Sequence, residues 1–111
     1  MKDDRLFLIH IKESIEWIDE FTIGGKAEFL DDRKTQDAVL RNLQTLAEST
    51  QHISIELKDK YPQVDWKTIA AFRNVVVHDY LGVSLDQIWD IVEKDLPLFK
   101  QQIDDILKAM G

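Results

Sequence analysis

The segment Arg73-Asn74-Val75-Val76-Val77-His78-Asp79-Tyr80 sets an arginine, an asparagine, a histidine and a tyrosine around three valines. Histidine exchanges protons near neutral pH and so serves as a general acid or base. Arginine keeps its charge and grips two phosphate oxygens in a planar fork. At about 100° per residue, Arg73, Val77 and Tyr80 fall on one helical stripe, and Asn74 and His78 on the neighbouring one. Arg73 and His78 differ by roughly 140° of phase, so a straight helix aims them apart. Three things can bring them together: arginine's length, a helix end at the histidine, or a second protomer with its own copy. Spacing alone also admits a bland reading, a partly buried polar seam in which Asn74 and His78 satisfy each other or cap a helix end.

No other segment carries a catalytic signature. There is no His-Glu-x-x-His, no Glu-x-x-His pair, no phosphate loop and no Gly-x-Ser-x-Gly. His10 precedes Glu13 by one turn, and two side chains do not make a metal site; His10 reads as an ordinary residue on a helix flank. His52 follows Glu48 by four residues and reads as one end of a solvated i,i+4 pair. Trp17, Trp66 and Trp89 sit on apolar stripes, where core packing is the default.

Helices must carry these residues. Leu8, Ile11, Ile15 and Ile18 repeat at helical spacing from about Asp4 to Phe21, with Asp3 and Asp4 as caps and Ile23-Gly24-Gly25 as the stop. A second helix is expected from Asp31 or Asp32 to about Lys60, with Val39, Leu43, Leu46, Ile53 and Leu57 inward and Tyr61-Pro62 at its end. Asp65 caps a third from Trp66, with Ile69, Phe72 and Val76 on one face, and Leu81-Gly82-Val83 breaks it. Ser84 and Gln87 form a capping box for a helix through Ile88, Trp89, Ile91 and Val92. Asp95-Leu96-Pro97 restarts or kinks the chain into a last helix with Leu98, Phe99, Ile103, Ile106 and Leu107. The expectation is an all-α, antiparallel four- to five-helix bundle forming a single domain over residues 1–111.

The chain contains no cysteine, which excludes disulfides, thiolate metal sites and cysteine nucleophiles. The acidic start and the absence of a long apolar stretch predict a cytoplasmic protein with neither signal peptide nor membrane span. The net charge of −7 argues against nucleic acid as a partner. Its distribution weakens that objection: residues 1–22 and 84–111 each carry a net −3, while residues 61–83 are neutral.

The pattern Arg73-Asn74-x-x-x-His78-x-Tyr80 resembles the Arg-x4-6-His motif of the HEPN superfamily, in the Arg-x4-His-x-Tyr form of HepT-like toxins. The likeness extends along most of the chain. Ala38-Val39-Leu40-Arg41-Asn42-Leu43-Gln44 with Ala47-Glu48 is similar to that family's second-helix signature. Tyr61-Pro62-Gln63-Val64-Asp65-Trp66 is similar to its approach to the catalytic segment, and Ile88-Trp89-Asp90-Ile91-Val92 with Asp95-Leu96-Pro97 to its last helices. Asp65 departs from the proline usual before the tryptophan, and Ala47 from the glycine often found before the glutamate.

The resemblance implies an HEPN-like bundle that dimerises and cleaves RNA, tRNA or mRNA, without a metal or other cofactor, Arg73 and His78 from two chains lining a shared cleft. It implies that Asn74 positions His78 or binds substrate. Glu48 either orients Arg73 or is a plain surface residue. Tyr80 corresponds to the tyrosine that accepts AMP groups from ATP through a partner nucleotidyltransferase antitoxin of the MntA type, and should stand exposed at the cleft mouth. A rival reading is a non-catalytic HEPN subunit that only accompanies such a nucleotidyltransferase; a pure scaffold has no need of Arg, His and Tyr together.

Overall fold

In a computed structural model, which describes residues 3–77 and 84–111, the helical periods of the sequence become four long helical bodies. The first is α1 (Asp4–Phe21). The short α2 (Gly25–Asp31) leads into α3 (Arg33–Gln51), and the short α4 (Ile55–Lys60) precedes α5 (Trp66–Val77). The last body is α6 (Leu85–Asp90) running through a π-helical turn (Ile91–Asp95) into α7 (Leu96–Met110). Among the described residues there is no strand, and the architecture is the expected all-α, HEPN-like bundle.

The core is the sum of the inward stripes. Leu8, Ile11, Ile15 and Ile18 of α1 meet Val39, Leu43, Leu46 and Ala47 of α3, then Ile69 and Phe72 of α5 and Phe99, Ile103 and Ile106 of α7, all buried. Each large aliphatic or aromatic side chain withdrawn from water contributes about 1.5–3 kcal/mol. Polar contacts then register the helices. Arg5 Nη1 donates to the Gly111 carbonyl at 2.7 Å, Lys12 pairs with Asp104 at 3.0 Å, and Lys100 with Asp19 at 3.3 Å, so α1 and α7 run antiparallel along their whole length. Lys12 is held charged above its ordinary range, chiefly by its hydrogen bond to Asp104.

Local chemistry sets the helix ends. Asp3, Asp32 and Asp65 cap α1, α3 and α5, each accepting a first-turn backbone N–H at 3.1 Å. Asp65 Oδ2 also accepts from the Thr68 hydroxyl at 2.7 Å, and these two bonds hold its carboxyl below the usual range. The Trp66 indole donates to the Tyr61 carbonyl at 3.0 Å and folds the 61–65 link under the helix start. Near Pro97 the backbone changes register. Proline has no N–H to offer the carbonyl four residues back, and the turn before it takes i→i+5 bonds, with the Leu96 amide reaching the Ile91 carbonyl.

Four expectations need correcting. The single helix from Asp32 to Lys60 is broken at residues 52–54, because Asp4 accepts from the Ser54 amide at 2.9 Å and its hydroxyl at 2.6 Å while Ser54 caps α4. Residues 25–31 form a helix where none is expected; Gly25 turns the chain with φ 86°, and Phe29 packs into the core against Trp89 at 5.5 Å between ring centroids. The Ser84–Gln87 capping box does not form, as the Ser84 side chain makes no cap bond. Finally, not every apolar residue of the expected stripes is covered: Trp66 and Trp89 are buried, but Trp17 is 52% and Leu98 63% exposed.

Candidate functional site

α5 packs along α3, and this contact places the C-terminal half of α5 beside the C-terminal turn of α3. The helix buries Ile69 and Phe72, which turns Arg73 and Asn74, the next residues in phase, out to solvent. Arg73 Nη1 donates to Oε1 of Gln51, the last residue of α3, at 3.3 Å. Gln51 lies three residues after Glu48, so both occupy one face of α3. Glu48 is exposed, and among the described residues no ion pair joins it to Arg73. Gln51 is the partner that the motif does not reveal; its i,i+3 relation to Glu48 was the available signal.

His78 and Tyr80, with Leu81, Gly82 and Val83, lie outside the described residues. Of the predicted site residues, Arg73, Asn74 and Glu48 are therefore located, all exposed, at the adjoining ends of α3 and α5. The expected His52–Glu48 pair is replaced by another contact. His52 caps the end of α3 and stacks on Phe7 of α1, with ring centroids 4.9 Å apart and planes 17° from parallel. His10 meets the edge of the same phenyl ring at 6.3 Å. Among the described residues no three imidazole or carboxylate groups converge as a metal site, and no helix is long and apolar enough to cross a membrane.

Electrostatics separates this end of α5 from its start. A groove between the starts of α5 and α7 is lined by Asp65, Thr68, Phe72, Asp95 and Leu98. Partial burial pushes the Asp95 carboxyl above its ordinary range, and the charges of Asp65 and Asp90 add to the effect. Two carboxylates make that groove repel phosphate, whereas Arg73, one turn beyond Ile69, offers a guanidinium.

The family profile described as ribonuclease HepT-like matches residues 11–106, which includes the whole of α3 and α5. The chain belongs to the HepT-like family. A Methanocaldococcus jannaschii relative of this HepT-like chain, named "Putative RNase MJ0127", is 40% identical over 108 residues, 96% of this chain and 89% of that protein. "Probable ribonuclease HepT" of Thermococcus cleftensis is 36% identical over 103 residues, 92% of this chain and 94% of that one. "Gamma-glutamylcyclotransferase and putative RNase MJ0434", also of M. jannaschii, is 34% identical over 110 residues; the match takes in 98% of this chain but only half of that longer protein. No solved structure matches the chain.

Proposed function

We propose that this HepT-like protein is the toxin of a toxin–antitoxin pair, a homodimeric, metal-independent endoribonuclease neutralised by AMPylation of Tyr80. The observation that carries the reading is the outward presentation of Arg73 on α5, within the Arg-x4-His segment of a chain whose relatives are named ribonucleases. Helical phase favours a dimer. Arg73 and His78 diverge by roughly 140° on one straight helix, and a second copy supplies a complementary pair to a shared cleft.

In that cleft His78 takes the proton of the ribose 2′-hydroxyl, whose oxygen attacks the adjacent phosphorus. Arg73 holds two phosphoryl oxygens and neutralises the charge that grows on them in the transition state. The P–O5′ bond then breaks, the 5′-oxygen leaves with a proton given up by protonated His78, and a 2′,3′-cyclic phosphate remains; Asn74 positions His78 or the substrate. Gln51 stands on the face of α3 that Arg73 meets, where its amide oxygen limits the directions the guanidinium can take, with Glu48 one turn before it on the same face. AMP groups on Tyr80, two residues from His78, add bulk and negative charge beside the phosphate site and so exclude RNA.

The test is RNA cleavage by the pure protein in EDTA, with tRNA and mRNA as substrates, alongside His78→Ala and sedimentation at micromolar concentration. Cleavage in EDTA by a dimer, abolished in His78→Ala, is the expected result. A requirement for added divalent metal, a fully active His78→Ala or a monomeric enzyme contradicts the reading.

A further inference from the structure

The outward face of α1 is unusual for a helix of a small bundle. Leu6, His10, Glu13, Trp17 and Phe21 follow one another at spacings of three or four and form a single stripe, opposite the buried Leu8, Ile11, Ile15 and Ile18. At its C-terminal end Trp17 and Phe21 are both exposed and stack on each other, with centroids 5.7 Å apart and planes 20° from parallel. Ile23, just past the helix, is 81% exposed. An exposed, already ordered aromatic pair with an apolar neighbour marks a surface for a partner.

The charges around it select the partner. Glu13, Glu16 and Glu20 line one shallow hollow with Trp17. Among the described residues none of the three is in an ion pair, while the adjacent Lys12 and Asp19 are already engaged with Asp104 and Lys100 of α7. Bases of RNA would find an aromatic platform here, but three carboxylates repel its phosphates. A second copy of this chain, docking the same face symmetrically, would bring both sets of carboxylates together. A cationic side chain meets neither objection. Over the Trp17 ring it gains cation–π attraction, and beside it the glutamates accept charge-assisted hydrogen bonds.

We propose that the Trp17–Phe21 face of α1 docks a basic segment of another protein, a Lys or Arg laid on Trp17 between the glutamates and an apolar side chain against Phe21. Trp17 lies about 20 Å along α1 from Asp4, whose Ser54 contact marks the end of the bundle where α3 terminates. The docking face is therefore separate from the proposed RNA site, and its test does not depend on that reading.

The probe is a fluorescein-labelled peptide of alternating Arg and Leu, titrated with the full chain by fluorescence anisotropy at low salt. Binding should weaken roughly tenfold or more in Trp17→Ala, and equally in the triple variant Glu13→Gln, Glu16→Gln, Glu20→Gln. All four side chains are solvent-facing, so both variants should keep the native circular dichroism spectrum and native RNA cleavage. A Glu–Leu peptide should bind at least roughly tenfold more weakly than the Arg–Leu one. No binding up to about 1 mM peptide, equal binding by the variants, or equal binding of the Glu–Leu peptide overturns the proposal. Protection of Trp17 from quenching by oligouridine would overturn it in favour of an RNA surface, and dissociation of a dimer by Trp17→Ala in favour of self-association.

Discussion

Arg73 on α5 is bonded to Gln51 at the end of α3, through Nη1 and Oε1 at 3.3 Å, and not to Glu48 one turn before it. A neutral amide orients a guanidinium without cancelling its charge, which leaves the cation free to act on phosphate. An ion pair at the same place would compete with the substrate for the guanidinium.

Substitutions around this bond should therefore separate charge from orientation. Arg73→Ala is expected to lower kcat/KM for RNA cleavage by about 10²-fold or more. Gln51→Ala should cost less, about tenfold or below, because the guanidinium remains but loses a guide. Glu48→Ala, which removes a nearby negative charge, should leave cleavage within about twofold of the native protein or raise it slightly at low salt. Single-turnover kinetics on the three variants is the measurement, and an inactive Glu48→Ala would show that this carboxylate participates directly.

Tyr80 should be the regulatory residue. Incubation with the cognate nucleotidyltransferase, ATP and Mg²⁺ is expected to add mass in AMP steps at Tyr80 and to suppress cleavage. Tyr80→Phe should escape both effects. If it keeps cleavage, the tyrosine is a switch alone; if cleavage falls, the phenol also helps bind RNA. Peptide mass spectrometry that finds the modification elsewhere, with activity still lost, would move the switch off Tyr80.

Ser54 should matter more for stability than its place in a short link suggests. Its hydroxyl donates to Asp4 at 2.6 Å and accepts the Leu57 amide at 3.2 Å, so one buried side chain ties α1 to the α3–α4 break and caps α4. Ser54→Ala removes both bonds and should cost about 1–2 kcal/mol. For a domain of this size that is a fall in Tm of very roughly 4–12 °C. Ser54→Thr should recover part of it. A thermal melt unchanged by Ser54→Ala would mean that Asp4 and the α4 amides find water equally well.

Asp95 gives a pH signature of definite sign. Its folded carboxyl titrates above its ordinary range, so the folded state favours the protonated form, and the native protein loses stability as pH rises through that range. Asp95→Asn should raise Tm at pH 7, by a degree or a few (~1–3 °C), and the gain should vanish as pH falls to where Asp95 is protonated in both states. Asp65 acts in the opposite sense. Its folded carboxyl titrates low, so its contribution is present at neutral pH and disappears as pH falls through the folded value. Asp65→Asn should thus lower Tm at pH 7 and leave it unchanged in strong acid. Calorimetry from about pH 2 to 7 on the two variants checks both signs.

The long helices were legible because their signals are local. Leu8, Ile11, Ile15 and Ile18, or Val39, Leu43 and Leu46, repeat at 3.6 residues whatever they pack against, and the caps at Asp3, Asp32 and Asp65 need only the next turn's amides. The Arg73–Tyr80 pattern is legible for the same reason, since it lies within one short stretch of chain. Contacts between distant segments were not. The apolar period continues through Ile53 to Leu57, and it takes Asp4, fifty residues away, to break the helix at Ser54. A seven-residue helix at Gly25–Asp31 is too short to persist by propensity and exists because Phe29 finds Trp89 in the core. Trp17 carries the same hydrophobicity as Trp66 and Trp89, yet only the packing of α1 against α3 and α7 decides that its face of the helix is left uncovered. Composition and period establish which residues want burial, and the finite area of the neighbouring helices determines which of them obtain it.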